Sequence, residues 1–237
     1  MIKVEKANKK YKQKDKLAIN DISFQIDQGE FVYLVGPNGS GKTTLLKLLS
    51  KEIILTSGSV QVDNILVNKI RSDDLYLLRR KLGIVHQEDI FLPQQTVLQN
   101  ILFALQVVRH PSLDLVALAK EALEKVNMWG YQQMMIEDLS IGQRKKVAIA
   151  RALVNDPLLL IADEPTANLD VKSAVEMMKI FLRINDSGTT ILIATHDSTM
   201  VNSIRKRVLE LSDGKLVRDQ KSGGYTRFSD PKDVYVW

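Results

Sequence analysis

The chain has 237 residues, 45% of them hydrophobic and 26% charged, enough apolar material to bury a core and too balanced a charge for long disorder. It has no cysteine, which excludes a disulfide framework and thiolate metal sites. The net charge is +5, and residues 1–16 hold seven lysines against Glu5 and Asp15; without these, the 33 basic and 28 acidic residues balance and the remainder is neutral.

Taken in chain order, Ile22, Phe24 and Ile26 alternate with polar residues, which predicts a half-buried strand. FVYLV (31–35) predicts a buried strand that ends in a glycine-rich turn, and TLLKLL (44–49) opens a helix. Gly58 with the alternating Val60 and Val62 predicts a hairpin over 58–67. LYLLRRK (75–81) reads as a helix leading into the strand GIV (83–85). Residues 96–128 have helical periodicity interrupted at Pro111, and 142–154 form another helix closed by Asn155-Asp156-Pro157. LLLIA (158–162) and TTILIAT (189–195) are continuous apolar runs, the pattern of strands covered on both faces. A helix over 170–185, a helix near 198–205 and strands near 207–211 and 215–218 complete the order. Strands alternating with helices predict an α/β domain on a mainly parallel sheet, with an antiparallel layer early in the chain and a helical insertion over about 89–155. The tail 219–237 is polar, carries Gly223-Gly224, and reads as loosely attached. No run approaches the roughly 18 apolar residues of a bilayer span, and MIKVEKANKKY lacks the apolar stretch of a secretory leader.

Two segments carry chemistry. Gly36-Pro37-Asn38-Gly39-Ser40-Gly41-Lys42-Thr43 fits the pattern G-x-x-x-x-G-K-[ST]. Its glycines let successive backbone N–H groups point at phosphate oxygens, and the following helix adds its positive end. Lys42 suits the β- and γ-phosphates and Thr43, with Thr44 beside it, a Mg²⁺ ion. The bland alternative, a glycine turn that binds nothing, does not account for the buried strand before it and the helix after it. LLLIADEP (158–165) ends a strand in two acids. Asp163 is placed to hold Mg²⁺, directly or through water, and Glu164 to take a proton from an attacking water. A solvent-facing acid pair is the alternative, and the phosphate loop argues against it.

With these motifs and the ones around them, residues 1–218 resemble the ATP-binding cassette (ABC) ATPases. Gly36–Thr43 matches the first Walker motif, and Asp163-Glu164 the second with its catalytic glutamate. Gln87 matches the Q-loop glutamine, Leu139-Ser140-Ile141-Gly142-Gln143 the family signature, Ala167-Asn168-Leu169-Asp170 the D-loop, and His196 the switch histidine. Of the three histidines (His86, His110, His196), only His196 follows a buried strand at the sheet edge expected also to hold Glu164. Tyr11 stands where the family places an adenine-stacking aromatic, and among lysines it reads as a platform rather than simple packing. Asp197 is given no role. The resemblance implies a P-loop NTPase fold, ATP and Mg²⁺ as ligands, and Mg-dependent hydrolysis. It implies Glu164, His196 and Gln87 in catalysis, and Thr43, Gln87 and Asp163 at the metal. Nucleotide contacts would come from Tyr11, Gly36 to Thr44, Ser140, Gly142, Gln143 and Asp170.

The signature acts on the nucleotide of a second chain in this family, so the resemblance implies a nucleotide-sandwich homodimer with two equivalent sites. Ile141 departs from the family's glycine. If that position needs a left-handed backbone, a β-branched residue weakens the sandwich; if it needs an ordinary φ, the site survives. Arg144-Lys145-Lys146 replaces a QQR-type run and reads as a solvated basic face.

Residues 29–49, 77–101 and 188–219 resemble most the family branch that serves cell division, with lipoprotein-release and macrolide-export ATPases as near relatives. That branch implies a polytopic membrane partner of the FtsX type, control of cell-wall hydrolases, and a place on the inner face of the cell membrane. The expected docking surface is Glu88–Asn100 with the helical insertion, with Phe91, Leu92 and Pro93 as exposed apolar candidates and ordinary packing within the subdomain as the equal alternative. An exporter ATPase and a nucleotide-binding module with weak hydrolysis are the alternatives. Specific nucleic-acid binding is not expected: the N-terminal lysines show no element that reads bases, and serve better as a positive field near Tyr11 or near anionic lipid.

Overall fold

The computed structural model describes residues 1–12, 16–107 and 114–226. Lys14 and Asp15, His110 and Pro111, and the end of the polar tail lie outside the described residues. The strands are β1 (Ile2–Lys10), β2 (Leu17–Ile26), β3 (Phe31–Val35), β4 (Ser57–Val62), β5 (Ile65–Leu66), β6 (Leu82–Val85), β7 (Leu159–Asp163), β8 (Thr190–Ala194), β9 (Lys206–Ser212) and β10 (Lys215–Gly223). The helices are α1 (Lys42–Leu49), α2 (Leu75–Arg79), α3 (Val97–Val107), α4 (Leu115–Lys125), α5 (Ile141–Leu153), α6 (Val171–Asp186) and α7 (Ser198–Ser203). They fall into two compact units, Met1–Arg79 with the segment from Thr190 onward, and Arg80–Thr189.

The first unit holds two sheets. One is antiparallel, in the order β2-β1-β4-β5. In the other, β3 lies between β8 and β9, parallel to both, and β10 closes the edge antiparallel to β9. Every residue of β3 and β8 is buried, as the continuous apolar runs predict. Helix α1 turns Leu45, Leu46, Leu48 and Leu49 inward.

Strand β1 is a correction. The lysine-rich N-terminus is assigned no element from the sequence, yet it is a nine-residue strand inside the antiparallel sheet. Ile2, Val4 and Ala7 are its buried apolar residues, so the inward period slips by one after Val4. The slip is a β-bulge: the register shifts between Val4 and Ala7, and Lys6 takes φ +46°. Gly58 on β4 faces it with φ +89°, and a Cβ there would collide with the Lys6 carbonyl.

In the second unit β6 and β7 pair in parallel, and β7 is buried throughout. Helices α3, α4 and α5 pack on one another, and α5 also packs on β6 and α6. The close approach of α5 to β6 requires Gly83, where a Cβ would run into the Ala152 carbonyl. Residues 95–98 run beside 132–136, with Val97 N–H donating to the Met134 carbonyl at 2.9 Å and Ile136 N–H to Gln95 at 3.1 Å. Thr96 and Gln99 cap α3 reciprocally, each side chain accepting from the other's backbone N–H (2.8 and 3.2 Å).

Residues 219–223, assigned to the loose tail from the sequence, belong to β10. The chain beyond them is fastened by Arg218, only 8% exposed. Its guanidinium donates to Glu210 (2.7 Å), Gln220 (3.2 Å) and the carbonyls of Gly224 (3.0 Å) and Tyr225 (2.6 Å). Tyr225 N–H donates to the buried Asn202 side chain at 2.8 Å.

Candidate functional site

In the first unit, the phosphate loop leaves the end of β3. Gly36 has φ +142°, and a Cβ there would strike the Leu211 carbonyl and the Ser40 hydroxyl, so only glycine fits. Gly41 caps α1 with φ +109°. Pro37, Asn38 and Gly39 are exposed at the tip, and Ser40 is buried with a hydroxyl that has no hydrogen-bond partner among the described residues. The first turn of α1 contains no acidic residue, so its positive end is not offset locally. Lys42 is buried, and its ammonium donates to the carbonyls of its own loop, Gly36 at 2.7 Å and Pro37 at 3.3 Å. The Tyr11 hydroxyl lies 3.4 Å from that of Thr44, and Lys9 stands 5.2 Å from the Tyr11 ring centroid. Tyr11 is thus at the mouth of α1 beside Thr43 and Thr44.

His196 emerges near the same loop. The pairing Leu34↔Ala194 in the β3–β8 register means that Gly36 and His196 each lie two residues past it. Thr195 N–H still donates to the Leu34 carbonyl at 3.1 Å, and His196 is exposed just beyond. Asp197, given no role from the sequence, caps α7 by accepting from Met200 N–H at 3.1 Å. Beneath it the Tyr33 hydroxyl is buried without a partner; burial, and then the charge of Asp197, hold that phenol well above its ordinary range.

The second unit repeats the arrangement. In the β6–β7 register Val85 pairs with Ala162, so Gln87 and Glu164 each lie two residues beyond. Asp163 ends β7 at 8% exposure, and Glu164 follows at 7%, with a left-handed φ of +49°. That backbone starts a turn, closed by Ala167 N–H donating to the Glu164 carbonyl at 3.1 Å.

Ser140 and Asp170 are both helix N-caps. Ser140 caps α5 through a capping box: its hydroxyl accepts from Gln143 N–H (3.2 Å), and the Gln143 side chain accepts from Ser140 N–H (2.9 Å). Asp170 caps α6, accepting from Ser173 N–H (3.0 Å) and the Ser173 hydroxyl (2.6 Å). The Ser173 hydroxyl and amide hold the Asp170 carboxyl below its ordinary value. Gly142 lies against Ser173 and Leu169, so the signature and the D-loop are neighbours. Ile141 is the first residue of α5 and is absent from the positive-φ residues. The backbone there is ordinary, and the β-branched residue carries no conformational strain.

The basic run after the signature is a second correction. Arg144 donates to the Leu139 carbonyl at 2.9 Å, and Lys146 pairs with Glu176 at 2.7 Å. Lys145 is 4% exposed; its ammonium donates to the Gln87 carbonyl at 2.6 Å and to Asp89 at 3.3 Å. Helical spacing carries the signal that a charge count hides: Lys145 is three residues before Ala148 and four before Ile149, both buried. Phe91 follows the packing alternative. It is half-buried under Arg151, whose guanidinium carbon stands 4.9 Å from the ring centroid, while Ile90, Leu92 and Pro93 are exposed.

The model of the ABC transporter family matches residues 19–167. The chain is 45% identical over 225 residues to the cell division ATP-binding protein FtsE of Mycobacterium tuberculosis, covering 95% of this chain and 98% of that one. It is 39% identical to FtsE of Bacillus subtilis, with the same coverage. Among solved structures, the dimeric post-hydrolysis state of the ATP-binding cassette MJ0796 bound to ADP and Pi superposes with a TM-score of 0.85 at 32% identity, covering 94% of this chain and 100% of that one. By the matched segment and by identity across nearly the whole length, the chain belongs to the ABC transporter ATPase family and is an FtsE-like ATPase.

Proposed function

We propose that the chain is the ATP-hydrolysing subunit of a cell-division membrane complex, working as a homodimer against a polytopic FtsX-like subunit. The observation that carries the cell-division part is the identity to FtsE over nearly the full length of both chains. Among the described residues no helix is long and apolar enough to cross a membrane, so in this reading a membrane position comes through the partner.

The phosphate loop fits a triphosphate. It offers glycines at φ values that free backbone N–H groups, a helix start without acids, and a buried ammonium that donates to carbonyls of its own loop. Phosphate oxygens are better partners for Lys42 than neutral carbonyls, because the hydrogen bond is then between opposite charges. Thr43, Gln87 and Asp163 supply oxygen donors of the hard kind that Mg²⁺ prefers. The metal, when bound, neutralises charge on the phosphates. Tyr11 stacks the base. Glu164, at the end of a buried strand, orients the attacking water and accepts its proton. His196 and Gln87 hold the γ-phosphate region from their own strand ends. Ser140, Gly142 and Gln143 serve the nucleotide of the partner chain, and Asp170 sits beside them on the D-loop. Loss of the γ-phosphate removes charge from the contact between copies and loosens the dimer.

The test is twofold. Turnover should fall by at least about a hundredfold in Glu164→Gln with ATP binding retained, and the ATP-loaded variant should accumulate as dimer. The wild-type chain should co-purify with an FtsX-like membrane subunit. Unchanged turnover in Glu164→Gln removes its catalytic role; capture of a lipoprotein-release or export permease instead reassigns the complex.

A further inference from the structure

We infer that Lys145 is a positioning residue that locks the Gln87 loop to the signature helix, so that the two move as one piece. This rests on the reading above that Gln87 serves the hydrolytic step. The loop has its backbone held by side chains at three points. The Gln87 carbonyl accepts from Lys145 at 2.6 Å. The Ile90 carbonyl accepts from Arg151, six residues further along α5. The Leu92 N–H and carbonyl are both taken by Asn100 of α3, at 2.8 and 3.3 Å, and Asn100 is 2% exposed.

Lys145 is the member of this set closest to the chemistry on both sides. One end of its reach is the backbone of Gln87 itself. The other is its own helix, five residues after Ser140, about 7.5 Å at the α-helical rise. Its charge is answered by Asp89, whose side chain is 12% exposed against 6% for Lys145. A nearly dry ion pair is directional and does not slide, and removing one member leaves the other charge uncompensated. The side chain of Gln87 takes no part in the clamp; Lys145 grips only its main chain. The clamp therefore sets where the amide is presented without occupying it.

The consequence is specific to turnover. A chain whose Q-loop is loose still binds ATP through the phosphate loop, but presents Gln87 out of place, and a displacement of about 1 Å costs up to a hundredfold. Lys145→Met keeps the length and apolar stem and deletes the donor and the charge. The full chain is assayed for steady-state ATPase with Mg-ATP, alongside Asp89→Asn, the double variant, Lys145→Arg and Gln87→Ala. We expect kcat of Lys145→Met to fall about tenfold with KM for ATP within about twofold, since only placement is lost. The double variant should be no worse than Lys145→Met, and Lys145→Arg should recover most of the rate. Amide hydrogen exchange of the nucleotide-free chain should quicken at residues 87–92 in Lys145→Met. Should Lys145→Met fail to fold, Lys145→Gln and Asp89→Asn give the same comparison. Unchanged kcat in Lys145→Met, equal losses in kcat and ATP affinity, or effects of Lys145→Met and Asp89→Asn that multiply would overturn the inference. If Gln87→Ala loses turnover and Lys145→Met does not, only this inference fails. If Gln87→Ala keeps full turnover, the role of Gln87 fails and the inference with it.

Discussion

Restoring glycine at Ile141 tests whether the departure from the family signature matters. Ile141 opens α5 in a helical backbone and is 46% exposed. Glycine there loses about 0.5 kcal/mol of helix propensity. Full burial of an isoleucine side chain is worth about 1.5–3 kcal/mol, and roughly half of it is buried here, so packing loses about 1 kcal/mol. The sum, about 1–2 kcal/mol, lowers the unfolding midpoint by roughly 3–6 °C in a chain of this size. Turnover is a separate matter. Since the backbone at 141 needs no left-handed conformation, Ile141→Gly gains nothing in geometry, and its ATPase should stay within about threefold of the parent (on the order of 0.6 kcal/mol in barrier). Calorimetry and steady-state ATPase at saturating Mg-ATP measure the two halves. A rise in kcat of tenfold or more refutes the reasoning, because the isoleucine side chain would then be obstructing the composite site between two copies.

Ser140→Ala and Gln143→Ala each break the capping box of α5 and should cost about 1 kcal/mol in denaturant unfolding. Because both residues serve the partner chain's nucleotide in the proposed reading, both variants should also lose most of the turnover, and full turnover in either would reduce that residue to a helix cap. Arg218→Ala strands the carbonyls of Gly224 and Tyr225 and breaks the pair with Glu210. It should cost about 3 kcal/mol and speed proteolytic cleavage near Tyr225. The Asp170 carboxyl, held below its ordinary 3.8 by Ser173, and that of Glu176, held below 4.5 by Lys146, favour the folded state above their unfolded values. That contribution is lost as pH falls through the lowered folded values, so stability should decline below about pH 4, and less steeply in Asp170→Asn, which keeps the cap. Glu164→Asn suits the left-handed backbone better than glutamate, and should raise the unfolding free energy slightly, by about 0.5 kcal/mol, while removing turnover.

The parallel strands were legible because β3, β7 and β8 are buried on both faces, so runs of four or five consecutive apolar residues announce them. The motifs at their ends were legible for the same reason: a polar residue directly after such a run stands at the end of a strand or just past it. Strand β1 was not, because its bulge at Lys6 breaks the alternation that a period of two would reveal, and the residue that accommodates the bulge, Gly58, lies on another strand. Lys145 was misread because composition counts a lysine as solvated, whereas its place on the Ala148–Ile149 face of α5 puts it inside. Its partner, Asp89, is 56 residues away, and no local pattern joins them. Ser140 and Asp170 show the opposite overlap: the same residues that match family motifs also satisfy the exposed amides of α5 and α6.

Glu164 shows how far backbone physics alone can separate structure from chemistry. A non-glycine residue at φ +49° costs on the order of 1–3 kcal/mol, least for asparagine and aspartate, whose short side chains tolerate that region. Six of the ten non-glycine positive-φ residues among the described ones follow that preference (Asp21, Asp63, Asn127, Asp156, Asn168 and Asp213), while Lys6, Lys51 and Gln94 do not. Glu164 does not, and it is 7% exposed where those turns are mostly open to water. Neither the turn nor the burial selects a long carboxylate: asparagine or glycine would fit the backbone at lower cost, and an apolar residue would fit the burial. The five buried residues of β7 hold the strained position in place. What remains to select glutamate is its reach and its carboxylate, two residues beyond the Val85–Ala162 pairing and level in register with Gln87, where the proposed function puts a base acting on water.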